Sequence, residues 1–258
     1  MRDMWDAAQY LRFGDERSRP FFDLVARVGA EKPGYVVDLG CGPGHLTAAL
    51  ARRWPDAEVV GVDRSRDMIE TANGAAYPGV SFSYADVREW VPDRAPDVLT
   101  CNAVLQWVPG HEELLRRWAD QLAAGGWLAF QLPGNFDSPS HVIVKELASS
   151  PRWRGLVGDA ELNRQAGDPA GYVELLARDG YEIDAWETTY LHILHGDNPV
   201  LEWTKGSTLR PVLALLDEEQ AADFTSEYAA RVKDAFPRGS FGVIFPFRRV
   251  FAVLHKLA

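Results

Sequence analysis

The sequence has little cysteine, because only Cys41 and Cys101 occur among its 258 residues. Two thiols cannot build a disulfide framework in a chain of this length, and no cysteine–histidine cluster has the spacing of a zinc site. No uncharged apolar run approaches the ~18 residues that a membrane span needs, and the first residues lack the apolar core of a signal peptide. These absences lead us to expect a reduced, cytoplasmic protein that binds neither a metal nor a membrane.

Positive charge is also scarce. The chain has 27 lysines and arginines against 37 aspartates and glutamates, which gives a formal net charge of −10. A nucleic-acid binder has a basic stripe or patch, and none is present, so we expect no nucleic-acid partner. A small cationic pocket is still compatible with this charge. The shares of hydrophobic residues (47%) and charged residues (25%) are those of an ordinary globular protein.

The clearest pattern present is VVDLGCGPGHLTAAL, at residues 36–50. An apolar run typical of a buried strand is followed by Gly40, Gly42 and Gly44 and then by a helical pattern. Glycines at such a turn let backbone N–H groups approach a ligand, because no Cβ stands in the way. A dinucleotide fingerprint would have its third glycine where the chain has His45, and the Gly-Lys-Ser/Thr of a phosphate-binding loop is absent. The turn therefore predicts a ligand of another class.

Strand and helix patterns alternate after this turn. Strand patterns occur at residues 58–63, 80–86, 97–103 and 127–134, with helical patterns such as RDMIETANGA and HEELLRRWADQLAAGG between them. This alternation predicts an α/β fold with a doubly wound, mostly parallel sheet. Further on, EIDAWETTYLHIL and GVIFPFRRVFAVLHK are strand patterns that flank a helical block. We expect these strands to pair antiparallel at the sheet edge, and the block to cap the site.

Four pieces taken together identify a family. VVDLGCGPG, VVGVDRS, YADVREW and CNAVLQWV occur in this order between residues 36 and 132. The chain here resembles the class I S-adenosylmethionine-dependent methyltransferases, which have a Rossmann-like seven-stranded sheet with an antiparallel last strand. The resemblance implies S-adenosylmethionine as cofactor, S-adenosylhomocysteine as product and no metal.

We divide the chain into an N-terminal helical lid segment (1–30), a cofactor-binding core (31–134), the remaining core with a helical insertion (135–195), a helical cap (196–240) and a final core strand (241–258).

The resemblance also implies roles for residues at the carboxyl ends of the strands. Asp63 is expected to accept the ribose hydroxyls, and Asp86 to accept the adenine amino group beside the Val87 N–H. Asp38 is expected to face the amino group of the cofactor through water or the turn backbone, and the carbonyls of Asn102 and Ala103 to hold that group. The predicted cofactor-binding residues are Asp38, Gly40, Cys41, Gly42, Gly44, Asp63, Arg64, Met68, Asp86, Val87, Asn102, Ala103 and Gln106.

A narrower resemblance extends over most of the chain. MWDAAQYLRFGDERSRPFFDLVARVG near the start, LQWV at residues 105–108 and EWTKGSTLRPVL at residues 202–213 are similar to the trans-aconitate methyltransferases. That family implies methyl transfer to one carboxylate of a small tricarboxylate, which gives a monomethyl ester. A carboxylate is already ionised at neutral pH, so we expect no general base. The enzyme has to place one oxygen in line with the methyl group and exclude water.

Arginines should grip the carboxylates that do not react, since guanidinium groups match carboxylates bidentately and keep their charge. Neighbouring residues of a strand project to opposite faces, so only one of Arg248 and Arg249 should reach the pocket, and we favour Arg249. Tyr228 is expected to join the aromatic wall of the pocket. The predicted substrate-positioning residues are Tyr10, Arg12, Arg17, Trp107, Gln131, Trp203, Arg210 and Arg249.

Two alternatives remain open from the sequence. One is a related carboxyl methyltransferase that acts on malonyl-acyl carrier protein or on another small acid. The carrier-protein enzyme shares the LQW motif, but an acidic carrier would need a basic patch that the chain lacks. A non-catalytic S-adenosylmethionine-binding regulator could keep every cofactor residue and differ only in the cap.

Cys41 is expected to pack in the turn rather than act as a nucleophile, because nothing beside it resembles a base. The sequence is compatible with a monomer or a homodimer.

Overall fold

The computed structural model describes residues 14–158, 160, 162 and 166–258. One sheet in these ranges contains β1 (Tyr35–Leu39), β2 (Glu58–Asp63), β3 (Val80–Tyr84), β4 (Val98–Asn102), β5 (Trp127–Pro133), β6 (Tyr181–Leu194), β7 (Arg238–Gly239) and β8 (Gly242–Lys256). The helices are α1 (Gly14–Val25), α2 (His45–Arg53), α3 (Arg66–Ala75), α4 (His111–Gln121), α5 (Pro139–Ser149), α6 (Arg154–Val157), α7 (Pro169–Leu176), α8 (Pro199–Lys205), α9 (Arg210–Leu213) and α10 (Glu218–Ala235).

The strand order is β3-β2-β1-β4-β5-β8-β6, and the two-residue β7 pairs with β8. The first five strands are parallel, and β8 runs antiparallel to both β5 and β6. The predicted doubly wound α/β fold with an antiparallel last strand is therefore confirmed. The neighbours of β1 are β2 on one side and β4 on the other, so the winding reverses at β1. Sheets of this kind bind ligands at the carboxyl ends of the strands beside such a switch point.

Helices cover both faces of the sheet and hold the strand ends in place. All five residues of β1 are buried, as expected for a parallel strand that is covered on both sides. Leu115 and Trp118 of α4 belong to the apolar cluster on one face, and Phe21 and Leu24 of α1 belong to the cluster on the other. None of the helices within the described ranges is long and apolar enough to cross a lipid bilayer.

The long strands β6 and β8 pair antiparallel, and the block between them folds into α8, α9 and α10. Its apolar side chains form a third cluster with α5, in which Trp203 and Phe224 are buried. Tyr228, which we expected in the pocket wall, belongs to this cluster instead. It is fully buried, and its hydroxyl donates to the Ser140 carbonyl at 3.2 Å. That expectation needs correction, because α10 packs Tyr228 against α5, and Tyr228 is not among the residues that line the cavity described below.

Candidate functional site

A cavity of about 770 Å³ lies at the carboxyl ends of β1, β2, β3 and β4. The glycine turn after β1 forms one part of its wall. The opposite part comes from the end of β5, the middle of β8 and the cap, through residues that include Pro133, Phe247, Trp203 and Pro211. The chain thus brings its early strand–turn patterns and its late helical block to the same cavity.

The turn after β1 has a backbone that suits glycine. Gly40, Gly42 and Gly44 have positive φ angles of 76°, 55° and 83°. The Gly40 N–H donates to the Val62 carbonyl at 2.7 Å, which ties the turn to β2. A side chain at Gly40 would collide with Val104, whereas a Cβ at Gly42 would meet no atom within 4 Å. The turn is therefore packed on one side and leaves open space beside its backbone, as a close-lying ligand requires.

Asp63 ends β2 and points toward the glycine turn. Its Oδ2 accepts from the Gly42 N–H at 2.9 Å, and its Oδ1 accepts from the Ser65 N–H at 2.8 Å. Burial raises the pKa of this carboxyl, and the two N–H donors oppose the rise because they stabilise the charged form. A carboxylate has about four lone-pair sites. Asp63 therefore keeps acceptor capacity beyond its two backbone contacts.

Asp38 lies behind the turn and does not line the cavity. It is 2% exposed and accepts from the hydroxyls of Thr47, at 2.6 Å, and Thr100, at 2.9 Å. Burial raises the pKa of Asp38 to about 6, although both hydroxyls favour the charged form. The carboxyl is thus held between α2 and β4, so that it supports the turn from behind.

Cys41 and His45 line the cavity on either side of the last glycine. Burial, together with the nearby carboxylates of Asp38 and Asp63, raises the pKa of the Cys41 thiol far above its usual range. A protonated thiol is a poor nucleophile, which favours the packing role expected for Cys41. Burial lowers the pKa of His45, so its imidazole is neutral at pH 7.

Asp86 follows β3 at the cavity and is held by Arg88. The Nε and Nη2 atoms of Arg88 donate to the two carboxylate oxygens at 2.9 and 2.6 Å. These bonds from Arg88 lower the pKa of Asp86. Beside it, the Arg66 guanidinium stacks over the Tyr84 ring with 4.5 Å between the guanidinium carbon and the ring centre. The Asp86 carboxylate is therefore charged and fixed in orientation, next to Val87, which also lines the cavity.

Three polar side chains connect the carboxyl ends of β4 and β5 with the middle of β8. The Gln131 amide donates to Asn102 Oδ1 at 2.5 Å, and Arg249 Nη1 donates to Gln131 Oε1 at 3.5 Å. Asn102 and Arg249 line the cavity, whereas Gln131 is fully buried and does not reach it. Gln131 was expected to face the substrate, but the structure places it behind the residues that line the cavity. It can orient Arg249, whose guanidinium also stacks over the Phe247 ring at 4.5 Å.

The two arginines of β8 lie on opposite faces of the strand. Arg249 is 7% exposed and lines the cavity. Arg248 pairs with Glu187 at 2.6 Å, and its Nη1 donates to the Gly134 carbonyl at 3.0 Å. The alternation of side chains along a strand explains this difference between neighbours. It also leaves Arg248 as a natural control for Arg249.

Short helical segments supply the remaining wall. A 3₁₀ turn at Leu105–Trp107 follows β4 and brings Gln106 and Trp107 to the cavity, and the Gln106 amide donates to the Ala103 carbonyl at 2.7 Å. Ala103 itself has a φ of 58°, which is a strained backbone for a residue with a Cβ. From the cap, α8 contributes Trp203 and α9 begins with Arg210. Aromatic and cationic groups therefore share this end of the cavity.

Most of the predicted site residues meet in this one cavity. Those that line it are Gly40, Cys41, Gly42, Asp63, Arg64, Met68, Asp86, Val87, Asn102, Ala103, Gln106, Trp107, Trp203, Arg210 and Arg249. Asp38, Gly44 and Gln131 are not among the residues that line it. Tyr10, Arg12 and the side chain of Arg17 lie outside the described part of the chain.

Sequence reasoning missed several residues of the wall, including His45, Arg66, Tyr84 and Phe247. A signal existed for Phe247, because it lies two residues from Arg249 and a strand places such residues on the same face. The arginines Arg64, Arg66, Arg210 and Arg249 share the cavity with Asp63, Asp67 and Asp86. The lining thus carries four guanidinium groups and three carboxyl groups. Among the described residues, no group of histidine, cysteine or carboxylate side chains could hold a metal ion.

Comparison with known proteins identifies the class and then the family. A family model described as a methyltransferase domain matches residues 13–184, so the chain is a methyltransferase of the doubly wound α/β class. A trans-aconitate 2-methyltransferase of Streptomyces avermitilis is 49% identical over 264 residues, which cover 98% of this chain and 97% of the relative. Another, of Rhodococcus jostii, is 50% identical over 253 residues, with 97% and 98% covered. The chain belongs to the family of the trans-aconitate 2-methyltransferases.

Solved structures share the fold at low sequence identity. The YcgJ protein of Bacillus subtilis has a TM-score of 0.58 at 15% identity, with 93% of this chain and 99% of that one covered. Phosphoethanolamine N-methyltransferase 2 of Haemonchus contortus, solved in complex with S-adenosyl-L-methionine, has a TM-score of 0.56 at 16% identity, with 93% and 53% covered. At these identities the likeness concerns the fold alone.

Proposed function

We propose that the chain transfers a methyl group from S-adenosylmethionine to one carboxylate of a small tricarboxylate, with trans-aconitate as the first candidate. The products would be the monomethyl ester and S-adenosylhomocysteine. The observation that carries the proposal is that the glycine turn with Asp63 and the arginines Arg210 and Arg249 line one cavity. The 49% identity to an enzyme of that name supports the same substrate class.

The glycine turn and the neighbouring strand ends would hold the cofactor. The remaining acceptor sites of Asp63 match two ribose hydroxyls, and Asp86 with the Val87 N–H matches an adenine edge. The carbonyls of Asn102 and Ala103 match an ammonium group. Further contacts would come from Arg64, Met68 and Gln106, which also line the cavity. When bound, S-adenosylmethionine supplies an electrophilic methyl group on a sulfonium.

Arg210 and Arg249 would grip the two carboxylates that do not react. They come from different elements, α9 and β8, so each can hold its own carboxylate in a bidentate pair. Gln131 would keep the Arg249 guanidinium in orientation from behind the wall. A guanidinium on the attacking oxygen would weaken it as a nucleophile, so the third carboxylate should have no arginine. Trp107 and Trp203 would exclude water from it.

The proposed reaction needs no proton acceptor. The substrate carboxylate is already ionised at neutral pH. Among the described residues of the cavity, the raised pKa of Cys41 keeps its thiol protonated, so no thiolate competes with the substrate carboxylate as the nucleophile. Positioning of an ionised nucleophile can supply on the order of 7–11 kcal/mol of the barrier reduction.

A methyl-transfer assay with labelled S-adenosylmethionine tests the proposal. The panel contains trans-aconitate, cis-aconitate, citrate, isocitrate, malonyl-acyl carrier protein and simple alcohols and amines. We expect a base-labile product, as an ester should be, formed mainly from trans-aconitate. Product mainly on the carrier protein would support the related carboxyl methyltransferase. Cofactor binding without transfer to any compound would support the regulator.

A further inference from the structure

His45 is a polar residue of the cavity wall to which the proposed function gives no role. It begins α2 directly after the glycine turn, and its ring lines the cavity. Within the described part of the chain its ring makes no hydrogen bond, and its Nδ1 atom is buried without a partner. Unpartnered buried polar atoms are rare in native proteins, and each requires an explanation.

The protonation state of the His45 ring decides which hydrogen bonds it can make. A neutral imidazole carries one N–H and one lone pair. We place the lone pair on Nδ1, which is buried without a partner, and the proton on Nε2, where an acceptor can reach it. Nε2 is not among the buried unpartnered atoms of the described residues, so it is the ring nitrogen that stays accessible. His45 therefore presents an uncharged hydrogen-bond donor.

The neighbouring groups indicate which part of a ligand this donor meets. Asp63 at the end of β2 and the carbonyls at the end of β4 are acceptors, so they suit the hydroxyl and ammonium donors of the cofactor. Arg210 and Arg249 suit the carboxylates of the substrate, and they belong to the cap and to β8. His45 follows β1, which lies between β2 and β4. The acceptor expected there is the carboxylate beside the ammonium group.

We propose that the Nε2–H of His45 binds the α-carboxylate of S-adenosylmethionine. This inference rests on the proposed function, because it places the amino-acid end of the cofactor at the glycine turn. An uncharged donor suits the position physically. It satisfies a carboxylate without adding a positive charge close to the sulfonium and the ammonium of the same molecule.

Calorimetric binding of two ligands tests the contact. S-adenosylhomocysteine has the amino-acid carboxylate, whereas 5′-methylthioadenosine lacks the amino-acid part. His45→Phe keeps an aromatic ring without an N–H, and His45→Gln keeps an N–H donor. We expect His45→Phe to weaken S-adenosylhomocysteine binding by about tenfold or more, as for a lost hydrogen bond to a charged group. Its affinity for 5′-methylthioadenosine should stay unchanged, and His45→Gln should keep most of the affinity for both.

The contrary outcomes are distinct from one another. An equal loss of affinity for both ligands in His45→Phe would mean a structural role and would overturn the inference. Unchanged S-adenosylhomocysteine affinity with a raised KM for trans-aconitate would place His45 at the substrate, which also overturns it. A parent chain that binds no S-adenosylhomocysteine would contradict the proposed function itself. His195→Phe is the matched control, since His195 is exposed and does not line the cavity.

Discussion

The pKa values of Asp38, Asp63 and Asp86 are shifted differently because the surroundings of these residues differ. Arg88 lowers the pKa of Asp86 and keeps that carboxylate charged. Burial raises the pKa of Asp63 and of Asp38, but Asp63 accepts from backbone N–H groups, whereas Asp38 accepts from two hydroxyls. The three aspartates therefore have different roles. Asp86 and Asp63 face the cavity as acceptors, and Asp38 holds the turn from inside the protein.

Asparagine at position 38 tests the buried carboxyl. The pKa of Asp38 is about 6 in the folded chain against an ordinary 3.8. Between these values the folded chain binds the proton more tightly than the unfolded chain, so the free energy of unfolding falls as pH rises through this window. Asp38→Asn has no titratable group at this position, so the variant does not lose stability in this way as the pH rises. Relative to the parent chain, the variant should gain on the order of 1–2 kcal/mol on going from pH 5 to pH 8, measured by denaturant unfolding.

The control for this experiment is Asp56→Asn, because Asp56 is exposed. Its effect on the free energy of unfolding should be small and equal at both pH values. If Asp38→Asn also had equal effects at pH 5 and pH 8, the carboxyl would have an ordinary pKa, and burial would not be the dominant influence on it.

Alanine at position 63 tests the ribose contact. Asp63→Ala removes the only side chain that the proposal assigns to the ribose hydroxyls. Binding of S-adenosylhomocysteine should weaken by about tenfold or more, as for lost hydrogen bonds to a charged acceptor. Calorimetry measures this directly, with Asp56→Ala as a control that leaves the affinity unchanged. Parent-like affinity of Asp63→Ala would remove the assignment.

At the scale of elements, β8 and the cap form the end of the cavity that is proposed to bind the substrate. β8 pairs with both β5 and β6, so its register is fixed on two sides. That register directs Arg249 into the cavity and Arg248 to the opposite face. The cap then adds Arg210 and Trp203 from helices that share an apolar cluster with α5, β6 and β8. Under the proposed function, β8 and the cap together would set the distance between the two carboxylates held by Arg249 and Arg210.

The two arginines of β8 give a matched pair of variants. Arg249→Gln should raise the KM for trans-aconitate by about tenfold or more, because a charge-assisted bidentate contact is lost. Its affinity for S-adenosylhomocysteine should stay near that of the parent chain. Arg248→Gln removes a partly exposed pair with Glu187, so its KM should change by less than about twofold. Equal effects of the two variants on KM would contradict the assignment of Arg249 to the substrate.

At the scale of the whole molecule, the sequence predicted the sheet, but it did not predict the exact positions of individual side chains. Alternating strand and helix patterns predicted the parallel core and the antiparallel late strands, since those patterns are local. The buried position of Tyr228 depends on how α10 packs against α5, and the position of Gln131 depends on which side chains stand in front of it. Neither relation is local in the chain. His45 was noticed only as a missing glycine, although it borders the cavity.

The whole cavity is proposed to act by positioning an ionised carboxylate, without a base. The most direct test is a single-turnover measurement of ester formation from S-adenosylmethionine and trans-aconitate between pH 7 and pH 9. We expect the ester to form with a rate constant that varies by less than about twofold across this range, because the nucleophile is fully ionised throughout. Absence of the ester, or a steep rise of the rate with a midpoint inside the range, would contradict methyl transfer by positioning alone.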